Sequence, residues 1–385
     1  MFRPKIFSLV FWLTLCVYLS GCMTATDIKP FLPGSEIKPQ TEGEKRLWYE
    51  AEKIEEAIEK GGQIYENEAI RAYIQSVTDR LYPEYKEKFK VHLLKAPVLN
   101  AFVLPNGSIY VNKGILAACQ NEAQIASILA HEGIHFVNKH SALGRQKNRS
   151  VSGAAVVLSI GLPIISQLVA ASSIFGYSRD LEREADRKGF VCLKKAGYDI
   201  REAPKSFELL AMEAEVNEEK EPFFFSTHPE LQERIDMFYQ LIKEAKTVQT
   251  GDIGRERYQK YMADLRLEVL EEKINVGKYN AVIAVLTSDK SKDLYAFPGM
   301  FYLGEAYRLR NNADDCSKAI ATYREIMKEH PSFAPAHQSM GIIFLKQKQY
   351  KKARQCLVKY LELKPDAEDK AFIRQYLHEI ESMGI

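Results

Sequence analysis

The chain contains His131-Glu132-Gly133-Ile134-His135, an HExxH motif. On a helix, positions i and i+4 share a face, so both imidazoles can point at one ion. Glu132 sits beside them, where its carboxylate can reach a water polarised by that ion. The neighbours Ile125, Ile128, Leu129, Ala130, Ile134, Phe136 and Val137 make this a mostly buried helix. Buried imidazoles flanking a carboxylate need a compensating partner, and a metal supplies one. The chemistry that this pattern serves is metal-assisted hydrolysis, with Glu132 as general base.

A catalytic zinc site uses three protein ligands and one open position. The third ligand is expected within Ser178-Arg179-Asp180-Leu181-Glu182-Arg183-Glu184-Ala185-Asp186, where Glu182 and Asp186 stand four apart on a second helix. One of these carboxylates can bind the metal while the other orients a histidine ligand. Spacing alone does not separate Glu182 from Glu184. The remaining histidines, His92, His140, His330, His337 and His378, read as ordinary structural residues. His92 falls in a β-type run and His140 at a helix end.

The elements that must position these residues follow from the patterning around them. Residues 41–82 read as two helices divided by Gly61-Gly62, the first with Trp48, Ile54 and Ile58 on one stripe. Residues 89–96 are strand-like. Residues 100–112 form two short β-type runs around Pro105-Asn106-Gly107, a hairpin turn signal. The hairpin leads into a helical pattern over 113–140. Residues 151–177 carry no charge, and Gly161-Leu162-Pro163 breaks them near the middle. We expect an apolar helical hairpin over the cleft, with a membrane-inserted segment as the rival. Residues 178–246 return to charged amphipathic helices, broken at Gly197, Pro204 and Pro222.

HExxH followed by ExxxD inside the 178–186 stretch resembles the zinc endopeptidases related to the CAAX prenyl protease and HtpX. The resemblance extends to residues 100–116 and to Ser226-Thr227-His228-Pro229 with Arg234 beyond it, and spans roughly residues 70–240. It implies a mainly α, zincin-type protease domain with a small β-sheet and one Zn2+. It further implies His131, His135 and Glu182 as metal ligands, Glu132 as catalytic base and Asp186 outside them. Arg234, six residues past His228, is carried over with this block and, like Asp186, is expected outside the ligand set. His228 is implied near the metal, and Asn100, Ala101 and Phe102 as an edge strand that pairs with extended substrate. Pro222 and Pro229 make the His228 segment a loop, so its imidazole could plug the water position or donate to an oxyanion.

Around this block the chain carries further signals. Its 385 residues allow two to three domains. Lys+Arg is 53 and Asp+Glu is 51, a balance that argues against a dedicated nucleic-acid binder. Arg3 and Lys5 precede an apolar run, Ile6 to Leu19, the layout of a secretory signal. The signal, residues 1–21, ends in Leu19-Ser20-Gly21-Cys22, which resembles the bacterial lipoprotein box and makes Cys22 the lipidated residue. Met23 leaves the next position without the aspartate of inner-membrane retention, which points to the outer membrane, inner leaflet. Residues 22–40, with Pro30, Pro33, Gly34 and Pro39, read as a tether. The protease unit is expected over 41–250.

From residue 255 to 385 the chain is repetitive. Tyr279, Cys316 and Tyr350 stand 37 and 34 apart, and His330-Pro331 answers Lys364-Pro365 at 34. Leu303-Gly304 answers Met340-Gly341 at 37. A helix-pair period of 34 resembles tetratricopeptide repeats, an all-α domain that presents a concave surface to a partner. Cys119, Cys192, Cys316 and Cys356 lie far apart with no CxxC spacing and read as buried thiols. The expected whole is a lipid-anchored periplasmic endopeptidase acting on unfolded or unassembled polypeptides, its repeats recruiting envelope assembly proteins. The competing expectations are an assembly chaperone with a latent protease, and an integral membrane protease.

Overall fold

The computed structural model describes residues 28–147, 177–216, 231–246, 250–289 and 294–384. The expected signal, Cys22, residues 151–176 of the expected 151–177 hairpin, and His228 lie outside them. Helix α1 (Glu42–Lys60) opens the fold, and the Thr41 hydroxyl accepts the Glu44 N–H at its start. Its buried stripe is Leu47, Ala51, Ile54 and Ile58. Trp48, expected on that stripe, is only partly buried. Helix α2 (Glu68–Leu81) follows, capped by Asn67.

Strands β1 (Lys90–Leu94), β2 (Ala101–Val103) and β3 (Ser108–Asn112) form one sheet in the order β1-β3-β2. β2 and β3 are the expected hairpin, antiparallel, with Phe102 opposite Tyr110. β1 runs parallel to β3, and the Ile64–Leu94 bridge meets its outer side. Among the described residues no strand pairs with the outer edge of β2.

The helical pattern over 113–140 resolves into two pieces. Helix α3 (Lys113–Ala118) ends before helix α4 (Glu122–Val137), which carries HExxH. Asn121 breaks the run because its side chain caps α4, accepting the Gln124 N–H at 3.1 Å. Gln124 reaches back in turn to the Gln120 N–H at 2.8 Å. Every residue of α4 is buried, as the all-round apolar sequence requires. Helix α5 (His140–Lys147) lies just beyond a reversal at Lys139, whose φ is +54°.

Helix α6 (Arg179–Lys195) carries the ExxxD pair and lies along α4. The two backbones approach closely at Gly189, where a Cβ would come within 3.1 Å of the Ala130 carbonyl carbon and the His131 nitrogen. Gly133, inside HExxH, meets Tyr82: a Cβ there would stand 2.2 Å from the ring. Tyr82 is itself buried and its hydroxyl donates to the Ala130 carbonyl. Gly133→Ala should therefore cost about 1–3 kcal/mol through overpacking, read as a lowered denaturant midpoint. An unchanged midpoint would mean that Tyr82 swings aside without loss.

Helices α7 (Ala203–Val216) and α8 (Leu231–Glu244) complete this part of the core. Pro204, expected as a break, instead sits in the first turn of α7, where its missing N–H is no loss. Residues 28–40 contain neither helix nor strand, yet they are pinned to the protein. Phe31 is buried, its N–H donates to the Val137 carbonyl at 2.8 Å, and the Tyr85 hydroxyl donates to the Phe31 carbonyl at 2.8 Å.

Helix α9 (Arg255–Asn275) serves two cores. Tyr258, Met262 and Leu265 join the cluster around α4, while Leu270 and Ile274 pack with Val282 and Leu286 of helix α10 (Tyr279–Thr287). Polar anchors reinforce the first contact. Arg257 pairs with buried Glu122 at 3.0 Å, and Lys113, itself buried, pairs with Glu268 at 2.7 Å. Two helix pairs follow, α11 (Ala296–Arg310) with α12 (Asp315–Glu329), and α13 (Ala334–Lys346) with α14 (Tyr350–Leu363), before α15 (Lys370–Ser382). Both pairs close through the same contact: Gly304 faces the Tyr323 ring and Gly341 faces Leu357. Tyr323 and Leu357 stand 34 apart, so the sequence period reappears as a packing period. Cys119, Cys192, Cys316 and Cys356 are free thiols; Cys119 and Cys356 are buried and the other two partly so.

The described architecture is thus mainly α with one small sheet, followed by helices alone. Among the described residues no helix is long and apolar enough to cross a membrane.

Candidate metal centre

The geometry of α4 and α6 brings three donor side chains together. His131 Nε2 and His135 Nε2 are 2.9 Å apart. Glu182 of α6 places Oε2 3.4 Å from His131 Nε2 and Oε1 3.5 Å from His135 Nε2. All three residues are at most 3% exposed. A tetrahedral centre with bonds of about 2.0–2.2 Å separates adjacent donors by about 3.3 Å, so the set fits one zinc-sized ion. Two imidazoles and a carboxylate are also the borderline donors that such an ion prefers. Among the described residues this is the group of His, Cys, Asp and Glu with metal-binding geometry.

Glu132 lies between the two histidines in sequence and is 1% exposed, yet it is not part of the converging trio. A buried carboxylate beside a cation site, but not in it, is suited to moving a proton.

Asp186 stands one turn beyond Glu182 and holds the outer nitrogen of His131, with Nδ1 to Oδ1 at 2.8 Å. Arg234 of α8 clamps the same carboxylate at 2.9 and 2.7 Å through Nε and Nη2. Its Nη1 is 3.5 Å from Glu182, and its guanidinium lies over the Phe207 ring. Burial would push Asp186 upward, but Arg234 and His131 hold its carboxyl below the usual range. Burial and Arg234 lower His131, and the Asp186 and Glu182 carboxylates outweigh them, carrying it to about 9. The buried guanidinium thus has its charge met by two carboxylates, as a buried cation requires.

Two residues at the site were not anticipated from the sequence. Tyr177 stacks its ring on His135, centroids 3.7 Å apart, with its hydroxyl 3.2 Å from Ser141 Oγ. His140, read as an ordinary helix-end histidine, is fully buried with Nδ1 2.9 Å from His135 Nδ1. Burial lowers its imidazole to about 4. The HExxH-to-His140 spacing was the available signal; its meaning depends on the reversal at Lys139. His92, by contrast, sits in β1 and stacks on Tyr110, away from the trio.

The expected substrate strand packs on the helix that carries HExxH. β2 packs against α4, with Ala101 and Phe102 buried and Phe102 stacked on Tyr110 at 5.2 Å. Asn100 precedes it, and its carbonyl accepts the Asn112 N–H at 3.0 Å.

Residues 65–241 match the profile of Peptidase family M48. That stretch, a little under half of the chain, is similar to the family's members. The chain is 34% identical over 177 residues to the mitochondrial metalloendopeptidase OMA1 of Schizosaccharomyces pombe, covering 44% of this chain and 52% of that protein. Its likeness to the human protein of the same name is 30% over 170 residues, 40% of this chain and 32% of that one. The beta-barrel assembly-enhancing protease of Escherichia coli O157:H7 is 27% identical over 177 residues, 42% of this chain and 36% of that one. The chain spans between about a third and a half of the length of the curated relatives it matches. With the M48 match, the domain reads as that of a metalloprotease.

Proposed function

We propose that the chain is a zinc-dependent endopeptidase of the bacterial envelope that cleaves misfolded or unassembled proteins. The observation that carries this reading is the convergence of His131, His135 and Glu182 with Glu132 alongside. When bound, zinc supplies a Lewis-acid position that lowers the pKa of a water towards neutrality. Glu132 takes a proton from the attacking water and delivers it to the leaving amine nitrogen. One water is consumed and one peptide bond is cut. Asp186 and Arg234 hold His131 in the orientation that leaves its Nε2 towards Glu182. His228 remains assigned near the centre by resemblance alone.

The edge of β2 that no described strand pairs with, on the sheet packed against α4, supports an extended substrate docking by backbone hydrogen bonds, which gives broad sequence tolerance. We assign residues 41–250 to the peptidase unit and 255–385 to tetratricopeptide repeats that recruit an envelope assembly partner. The recurring Gly304–Tyr323 and Gly341–Leu357 contacts support the repeats, and α9 joins the two units. Lipidation of Cys22 after removal of residues 1–21, and attachment to the periplasmic face of the outer membrane, rest on the signal and its closing tetrapeptide. The similarity to the beta-barrel assembly-enhancing protease of Escherichia coli supports a role in outer-membrane assembly.

The purified chain should cleave casein, lose that activity on treatment with a chelator such as 1,10-phenanthroline, and regain it with about one equivalent of added Zn2+. Cleavage that survives complete metal removal would overturn the reading.

A further inference from the structure

Each of the two histidines of the centre has an outer nitrogen, and the two are held differently. His131 rests on a carboxylate, Asp186. His135 rests on a second imidazole: its Nδ1 is 2.9 Å from Nδ1 of His140. Two ring nitrogens can share a hydrogen bond only if one carries the proton and the other a lone pair. A neutral His135 that offers its Nε2 lone pair to a metal must carry its proton on Nδ1. His140 must then present a bare Nδ1, with its own proton on Nε2. That Nε2 faces Glu184 Oε2 at 3.6 Å. Glu184 is fixed in turn by Asn138, 2.8 Å from Oε1, and by Lys188 at 2.6 Å.

We propose that His140 is a positioning residue for the metal centre: it accepts the Nδ1–H of His135 and thereby fixes the tautomer and ring plane in which His135 can ligate. The inference rests on the reading of His131, His135 and Glu182 as ligands. Geometry carries it. His140 is fully buried, and Lys139 adopts the left-handed conformation that turns His140 back under His135. Tyr177 stacks on the His135 face, so ring rotation is blocked from the side as well. With Asp186 behind one histidine and His140 behind the other, both imidazoles have their outer nitrogens engaged. Glu184, the carboxylate that spacing could not separate from Glu182, stands outside the trio on the far side of His140.

The test compares His140→Leu, which keeps volume and removes the acceptor, with His140→Asn, whose carboxamide oxygen sits near the position of the lost Nδ1. Zinc affinity of the full chain in detergent is measured by competition with a chromophoric chelator, and folding by circular dichroism. His140→Leu should bind zinc about 10–100-fold more weakly with its fold intact. His140→Asn should recover most of that loss, an outcome that a packing role would not give. Equal affinity of His140→Leu and wild type, or no recovery by His140→Asn, would overturn the proposal. Should His140→Leu not fold, 15N-histidine correlation spectra of the zinc-loaded wild type decide. His140 protonated at Nε2 and bare at Nδ1 is expected, and the opposite tautomer would overturn it. A wild-type chain that binds no zinc would remove the metal reading and this proposal together, whereas zinc binding indifferent to His140 would remove this proposal alone.

Discussion

Glu132→Gln should reduce proteolysis by about 10²–10⁴-fold while leaving close to one zinc per chain. Glutamine keeps the shape and burial of the side chain but cannot accept a proton. Glu132 is outside the trio of converging donors, so the metal loses no ligand. The two measurements, turnover of an unfolded substrate and zinc content by mass spectrometry, separate three roles. A base gives low turnover with full zinc. A ligand gives low turnover and low zinc. A residue that merely fills space leaves both unchanged.

Glu182→Ala should have the larger effect on the metal itself, lowering zinc affinity by more than the roughly 10–100-fold that loss of an outer partner costs. The substitution removes one of three ligand groups and takes away one of the carboxylates, 3.5 Å from the Arg234 guanidinium, that balance its charge. Glu184→Ala, two residues on, should keep zinc within about 10-fold, because its carboxylate pairs with Lys188 and Asn138 and reaches the site only through His140. Near-complete zinc loss in Glu184→Ala with retention in Glu182→Ala would exchange the two assignments.

How much of this was readable beforehand depends on which physical signal each part leaves. HExxH and its apolar surroundings are a local pattern, and the buried helix with two imidazoles on one face follows from it. The hairpin at 101–112 was equally local, since turn residues between β-formers determine it. Glu182 and Glu184 could not be separated by spacing, because helical phase tells which residues share a face but not which face meets α4. Gly189 answers that question: the side of α6 bearing the glycine is the one that approaches the Ala130–His131 backbone, and Glu182 and Asp186 share it.

His140 was invisible for a different reason. Five residues after His135 it lies off the helical repeat, and a left-handed Lys139 folds it back. Lys139 is held there by tertiary contacts, with Nζ 3.2 Å from Glu44 of α1 and 4.4 Å from the centre of the Phe31 ring. Those partners lie about a hundred residues upstream, where no local pattern could announce them. The same contacts explain why residues 28–40, so rich in proline, dock instead of swinging free. Helix α9 was read as the start of the repeats. Its apolar face is long enough to serve both cores, a division that periodicity does not resolve.

The central claim, that His131, His135 and Glu182 hold one catalytic metal, is tested most directly by X-ray diffraction from crystals grown with zinc, with data above and below the zinc absorption edge. The account predicts one strong anomalous peak about 2.0–2.2 Å from His131 Nε2, His135 Nε2 and a Glu182 carboxylate oxygen, with Glu132 beside it but outside bonding distance. A peak bound instead through Glu184 or Glu132, or no peak at this site in crystals of active protein, would contradict it.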